Sequence, residues 1–417
     1  MRRLLKQVLL NEKNVDILIE GDTITQIADR IEGTDYDEII PCADKIIAPS
    51  FANMHTHAAM MFLRGMGSDK PLHAWLEEDI WPFENRLQPT DIYALSRFAI
   101  LEMIKTGTTV FCDMYGDALE TVRAVQDMGV RAMIPYVGMD LFQVSEKERR
   151  IKALHTFFEE QNNCRRVIKG VGCHAIYTTS KELIQRFYQE AQERDTYFHI
   201  HISETEKEIA DCIAQHGCRP VELLEQWGVL GVKTILAHAV HLSDEEVALI
   251  ARRKAVVAHC PTSNLKLNSG RMNFQKYHNA GVHLTLGTDG VASNNSLSML
   301  TEMKIAALSA KSVARSVQAG RATDIWQAAT RNGFEALGIR AGVIAEGYQA
   351  DFILMNRNNV FLMPDTDRTA NLVYAADSSC ICDVFCAGNP IMTNGHVPGE
   401  EDIIAAFQET AKRLLIR

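Results

Sequence analysis

Residues 53–57 read Asn-Met-His-Thr-His. His55 and His57 are two positions apart, and in an extended strand such side chains project from one face. Paired imidazoles are a common start to a divalent-metal site, although an isolated H-x-H reads equally well as two solvated histidines at a strand end. Similar residues recur in Phe198-His199-Ile200-His201-Ile202-Ser203-Glu204, in Ala237-His238-Ala239-Val240-His241 and in Gly287-Thr288-Asp289-Gly290. Each group closes an apolar, β-branched run, so imidazoles and carboxylates gather at one end of four expected strands. A ring of ligands could meet there. Asp289 standing alone would be an ordinary turn aspartate before a glycine.

The elements that must position these groups alternate. Strands are expected at about 46–53, 108–114, 131–138, 167–173, 197–202, 234–239, 255–260 and 282–287, with amphipathic helices between most of them. Two helices open on Ser/Thr-x-x-Glu boxes, Thr179–Glu182 and Ser243–Glu246. Eight strands alternating with helices predict a (β/α)8 TIM barrel, whose chemistry belongs at the C-terminal ends of its strands. A doubly wound sheet would be expected to show a Gly-rich phosphate loop after its first strand, and there is none. Both chain ends read instead as short alternating strands, with Asn394-Gly395 suited to a tight hairpin. The expected organisation is therefore a small β-sandwich built from residues 1–48 and 346–417, the latter with a terminal helix, around a barrel at 49–345.

Composition narrows the function classes. A formal charge of −10 and a pI near 5.8 over 417 residues argue against a nucleic-acid surface. The H-x-E…P-C-x-x-C signature of nucleic-acid zinc deaminases is absent. Ten scattered cysteines without a C-x-x-C pair, behind an opening Met1-Arg2-Arg3-Leu4 unlike a secretory leader, fit a reducing cytoplasm. Ile46–Leu63 carries no Asp, Glu, Lys or Arg, but Pro49, Ser50, Asn53 and two histidines make it a poor membrane span.

Taken together, H-T-H, H-x-x-E, A-H-x-x-H-L, H-C-P-x-S-N and G-T-D resemble the amidohydrolase superfamily. Within it the chain is similar to mononuclear aminohydrolases that deaminate adenosine-type nucleosides, S-adenosylhomocysteine and 5′-methylthioadenosine, grouped with chlorohydrolase-like enzymes. The resemblance implies a hydrolase acting on the carbon–nitrogen bond of a cyclic amidine. It implies one divalent ion held by His55, His57, His201 and Asp289, with zinc the first expectation and iron or manganese compatible with three nitrogens and one oxygen. His199 is then packing or support for a ligand, and His241 is structural. The implied catalytic groups are Asp289, taking the water's proton; His238, polarising the attacking hydroxyl; and Glu204, protonating the ring nitrogen and then the leaving amine. A binuclear site would need a carboxylated lysine at the end of strand four, where Lys169 lies too early and His174 stands instead.

For the substrate, the resemblance assigns Glu84 to the ribose hydroxyls, His174 and Glu204 to the base, and Arg166 to the neighbourhood of the sugar substituent. Trp75, Trp81, Met60, Met61 and Met66 are candidates for an apolar wall. The chain departs from the family pattern at Pro49-Ser50-Phe51, where Pro-Gly is usual, and at Cys173 and Ile176, where PHAPYT carries prolines. The expected partner is a small molecule, with neither nucleic acid nor membrane; a homo-oligomer is compatible with the acidic surface. Guanine, a pterin, another modified purine or an s-triazine is the alternative substrate class. A non-catalytic scaffold would be expected to have lost ligands that are all present here.

Overall fold

The computed structural model describes residues 1–67, 69–70, 72–161 and 164–415. Its strands are β1 Arg2–Leu10, β2 Lys13–Glu20, β3 Thr23–Ala28, β4 Glu38–Pro41, β5 Lys45–Pro49, β6 Phe51–Thr56, β7 Thr108–Asp113, β8 Arg131–Gly138, β9 Val167–Ala175, β10 Phe198–Ile202, β11 Thr234–His238, β12 Val256–His259, β13 His283–Leu286, β14 Phe352–Asn356, β15 Ile381–Cys386 and β16 Asn389–Met392. β6 to β13 run parallel in chain order as one eight-stranded sheet, the barrel. It closes where β13 returns to β6. The Asp289 amide donates to the His55 carbonyl (2.9 Å), and Asn53 exchanges hydrogen bonds of 2.7 and 3.0 Å with Thr288. A side chain at Gly287 would put its Cβ 2.8 Å from the His55 nitrogen, so this closure needs glycine.

The second sheet runs β16-β15-β14-β5-β1-β2-β3, with β4 beside β1, and so interleaves both ends of the chain. It has its own apolar core of Leu5, Val8, Ile17, Ile19, Phe352 and Phe385, among others. Asn394 and Gly395 both take positive φ (50° and 75°) between the bridged Thr393 and His396, as a two-residue hairpin requires. Arg131, at the start of β8, donates twice to the buried Asp351 carboxylate beside β14 (2.9 and 3.0 Å) and ties this sheet to the barrel.

Two expectations shift. The apolar run 46–53 is not one strand. It breaks at Ser50 into β5, paired with β14 in the second sheet, and β6, which opens the barrel. One capping box also moves by a residue: Ser180, not Thr179, caps the helix Lys181–Glu193 by accepting from the Leu183 amide (3.3 Å). The Ser243–Glu246 box forms as expected, with reciprocal bonds of 3.1 and 2.9 Å. Among the described residues no helix is long and apolar enough to cross a membrane.

Candidate metal centre and active site

The barrel interior is apolar at its lower end, where Ala52, Met54, Val110, Ile235 and Val256 pack over Phe334. Above this plug the interior becomes polar. Tyr197, just before β10, belongs to the interior cluster, and His199 and His201 follow at two-residue steps, so strand period alone brings His201 to the top. β6 needs a different device. Met54 belongs to the interior cluster, yet the next residue, His55, also faces inward, which strict alternation forbids. The register of β6 against β7 shifts between Asn53 and Thr56, and this irregularity turns His55 in. At the other strand ends, non-glycine residues hold positive φ: Ser203 (52°), His238 (69°) and Asp289 (61°). Such backbone costs about 1–3 kcal/mol per residue and clusters at functional sites.

The expected ligands fall in two overlapping groups, each with its ligand atoms within 4.8 Å of one another: His55 with His57 and Asp289, and His55 with His201 and His238. Asp289 Oδ1 lies 3.1 Å from His57 Nε2 and 3.4 Å from His55 Nε2, and His201 Nε2 lies 3.4 Å from His57 Nε2. The other ring nitrogens are engaged behind the cage. His57 Nδ1 donates to the Met114 carbonyl (2.5 Å), His201 Nδ1 donates to the His174 carbonyl (2.7 Å), and His55 Nδ1 meets His199 Nε2 (3.2 Å). Each Nε2 is thereby left to face the centre, the arrangement by which outer partners orient metal-bound imidazoles. His55 Nε2 is buried without a hydrogen-bond partner. An orphaned buried nitrogen beside two more imidazoles and a carboxylate fits a divalent cation.

Burial holds His55 neutral, its pKa lowered to about 3, and burial beside neighbouring histidines keeps His201 well below the usual range. For His57, burial alone would lower the pKa, but the Asp289 carboxylate outweighs it and raises the value to about 9. Asp289 Oδ2 is held by the hydroxyls of Ser263 (2.6 Å) and Ser293 (2.7 Å). His238 forms a second group with His55 and His201, but its Nε2 also faces Glu204 Oε2 at 3.8 Å, while its Nδ1 meets Asn264 Nδ2 at 3.0 Å. The buried Glu208 carboxylate accepts the Ser203 and Glu204 amides (2.8 Å each) and so fixes the loop that presents Glu204.

The cage opens into a cavity of about 550 Å³, with His57, His201, Glu204, His238 and Asp289 in its floor and walls. A family model described as the amidohydrolase family matches residues 46–391, from within β5 to within β16. The chain belongs to the amidohydrolase family. It is 38% identical over 403 residues to a protein named 5-methylthioadenosine/S-adenosylhomocysteine deaminase 1 from Archaeoglobus fulgidus, covering 96% of this chain and 95% of that one. It is likewise 38% identical over 398 residues to a 5′-deoxyadenosine deaminase from Methanocaldococcus jannaschii, covering 94% of each. A crystal structure of an adenosine deaminase from Xanthomonas campestris with bound zinc matches at a TM-score of 0.92 and 30% identity, over 99% of this chain and 98% of that one.

Within this amidohydrolase barrel, Glu84 lies in the cavity wall and accepts from the Tyr115 hydroxyl (2.5 Å). His174 is in the wall too; burial lowers its pKa to about 4, and its Nδ1 meets Thr178 Oγ1 at 2.8 Å. Met60, Trp75 and Trp81 line the cavity, whereas Met61 and Met66 pack in the main core. Cys173 and Ile176, which replace the family's prolines, are buried there as well, and His174 still reaches the cavity. Lys169 donates from Nζ to the carbonyls of Phe157 (2.5 Å) and Glu160 (2.6 Å) at the end of an outer helix, away from the cage.

Arg166 does not join the site. It immediately precedes β9, with Nη2 3.5 Å from the Gln126 carbonyl, while His174 is at the far end of that strand, roughly 26 Å along extended chain. The arginine in the cavity wall is Arg150, on the helix Val144–Glu159. Its sequence neighbourhood, Glu146-Lys147-Glu148-Arg149, reads as a solvated helix face and gives no signal of a site. Ser263, Asn264 and Ser269, which bond Asp289, His238 and Glu204, are equally quiet in the sequence. Only the H-C-P-x-S-N motif hints at the first two.

Proposed function

We propose that the chain hydrolytically deaminates a 6-aminopurine nucleoside of the adenosine, 5′-methylthioadenosine, 5′-deoxyadenosine or S-adenosylhomocysteine type, releasing ammonia and the inosine-type product. The observation that carries this reading is a single cavity lined by three of the proposed ligands, His57, His201 and Asp289, by Glu204 with His238, and by Glu84. The names of the relatives support the same chemistry, and the zinc of the Xanthomonas campestris structure supports zinc as the ion.

The residues present divide the work. His55, His57, His201 and Asp289 would hold the ion. Bound there, a divalent cation lowers the pKa of water toward neutrality and so supplies hydroxide at ordinary pH. Asp289 takes the water's proton; its Oδ2 accepts from two serine hydroxyls and its Oδ1 lies 3.1 Å from His57 Nε2, which supports this role. Glu204 delivers a proton to the ring nitrogen beside the amino-bearing carbon, which makes that carbon electrophilic. His238 hydrogen-bonds the oxygen as it adds. The proton that Asp289 took then reaches the amine through Glu204, and the added hydroxyl gives its proton back to Glu204 as the carbonyl forms and ammonia leaves, so one water is consumed for each ammonia released. Glu84 accepts from the ribose hydroxyls with the capacity that Tyr115 leaves free, and His174 contacts the base.

An ammonia-release panel tests the reading. It compares adenosine, 5′-methylthioadenosine, 5′-deoxyadenosine and S-adenosylhomocysteine with adenine, guanine, a pterin and an s-triazine. Turnover confined to the nucleosides is expected. Preferential turnover of a free base or triazine would replace the proposal.

A further inference from the structure

The segment after β12 touches all three reacting side chains. Ser263 bonds Asp289, Asn264 bonds His238, and Ser269 Oγ donates to Glu204 Oε1 at 3.0 Å. The first two lie on the short helix Pro261–Lys266, and Ser269 comes just beyond it. Ser269 is itself held from two sides. Its amide donates to the Asn264 carbonyl (2.9 Å), and its carbonyl accepts from His241 Nε2 (2.6 Å). Gly270 has a φ of +140°, and a Cβ there would fall 2.7 Å from His241 Cε1, so the approach of this histidine depends on glycine. The second histidine of A-H-x-x-H-L thus braces Ser269. Glu204 Oε2 is turned toward His238 Nε2, at 3.8 Å.

We propose that Ser269 is a positioning residue that selects which oxygen of Glu204 moves the proton. The two carboxylate oxygens are chemically equivalent until a neighbour distinguishes them. A hydroxyl donating to Oε1 occupies it as an acceptor and disfavours a proton there, which leaves Oε2, on the His238 side, as the carrier. The same bond stops the carboxyl from turning over between transfers. Over one cycle Oε2 gives its proton to the ring nitrogen, relays to the departing amine the proton that Asp289 took from the water, and regains a proton from the added hydroxyl as the carbonyl forms. Ser269 keeps its own proton throughout, and His241 acts only through Ser269. The assignment rests on the deaminase reading.

The test uses full-length, metal-loaded protein carrying Ser269→Ala, Ser269→Cys or Ser269→Thr, with kcat and KM for the best nucleoside, metal content and melting temperature measured together. Removing a hydrogen bond to a charged group predicts a fall in kcat of about ten- to a hundredfold in the Ala variant. KM, metal content and melting temperature should hardly change. The Cys variant, similar in shape but a weak donor, should lose kcat to a similar degree, and Thr, which keeps the hydroxyl, should recover most of it. Unchanged kcat in Ala and Cys, or a Thr variant as slow as Ala, would overturn the assignment while leaving the deaminase reading intact. A parallel loss of metal or folding in all three variants would also overturn it, in favour of a purely structural role. Wild-type protein that releases no ammonia from any nucleoside would overturn the deaminase reading and this assignment with it.

Discussion

Replacing Glu84 with glutamine should separate sugar recognition from chemistry. The carboxylate is half-buried in the cavity wall, and one oxygen already accepts from Tyr115. In the proposed complex the remaining acceptor capacity receives ribose hydroxyls. A hydrogen bond to a charged acceptor contributes about 1.5–3 kcal/mol and a neutral one about 0.5–1.5. Glu84→Gln keeps the shape and loses the charge, so the difference is about 1–2 kcal/mol, or roughly a five- to thirtyfold rise in KM. Burial raises the Glu84 carboxyl above its ordinary value, opposed by the Tyr115 hydrogen bond. Because the ionised form binds, wild-type KM should rise as pH falls through that raised pKa, whereas the Gln variant should lack this limb. The assay is steady-state ammonia release from a ribonucleoside and from its 2′,3′-dideoxy analogue, each across pH. The KM penalty should nearly vanish for the dideoxy analogue, and kcat should stay within about threefold for both substrates. An equal penalty on both, or none on the ribonucleoside, would refute the assignment of Glu84 to the sugar.

Three further outcomes are expected. His199→Ala removes the partner of His55 Nδ1 and should weaken metal affinity about 10–100-fold in a chelator competition, with the fold retained by circular dichroism. Arg150→Ala should raise KM for the nucleoside about tenfold if the guanidinium contacts substrate, whereas Arg166→Ala, outside the cavity, should leave kcat and KM within about twofold. Arg131→Ala leaves the Asp351 carboxylate buried without its bidentate partner and should cost about 3–5 kcal/mol in denaturant unfolding, with little effect on KM.

Much of this is legible in the residues. β-branched runs locate seven of the barrel strands and overlap the first only at 51–53, and the polar residues ending four of them supply the proposed cage. What fails does so for physical reasons. Hydropathy sees a run such as 46–53 but not which sheet each half joins, so the break at Ser50 is invisible. Spacing puts Arg166 near His174 in number, while an extended strand carries those eight residues to opposite ends of the barrel. Arg150 escapes because a cation among other charges on a helix reads as solvated until tertiary packing brings it over the cavity. The inward turn of His55 cannot be read at all. The i, i+2 rule pairs it correctly with His57, but its direction comes from a register shift against β7 that leaves no mark in the pattern. Ser269 and His241 are obscure for the same reason, since their partners are remote in sequence.

The central claim is that His55, His57, His201 and Asp289 hold one ion that serves deamination. The most direct measurement is a titration of metal-stripped protein with Zn2+, following ammonia release from the preferred nucleoside against ions bound per chain. Activity should be near zero in the stripped protein, rise in proportion to bound metal and level off at about one ion per chain. A plateau at about two ions, or full activity in protein shown to carry none, would contradict the account.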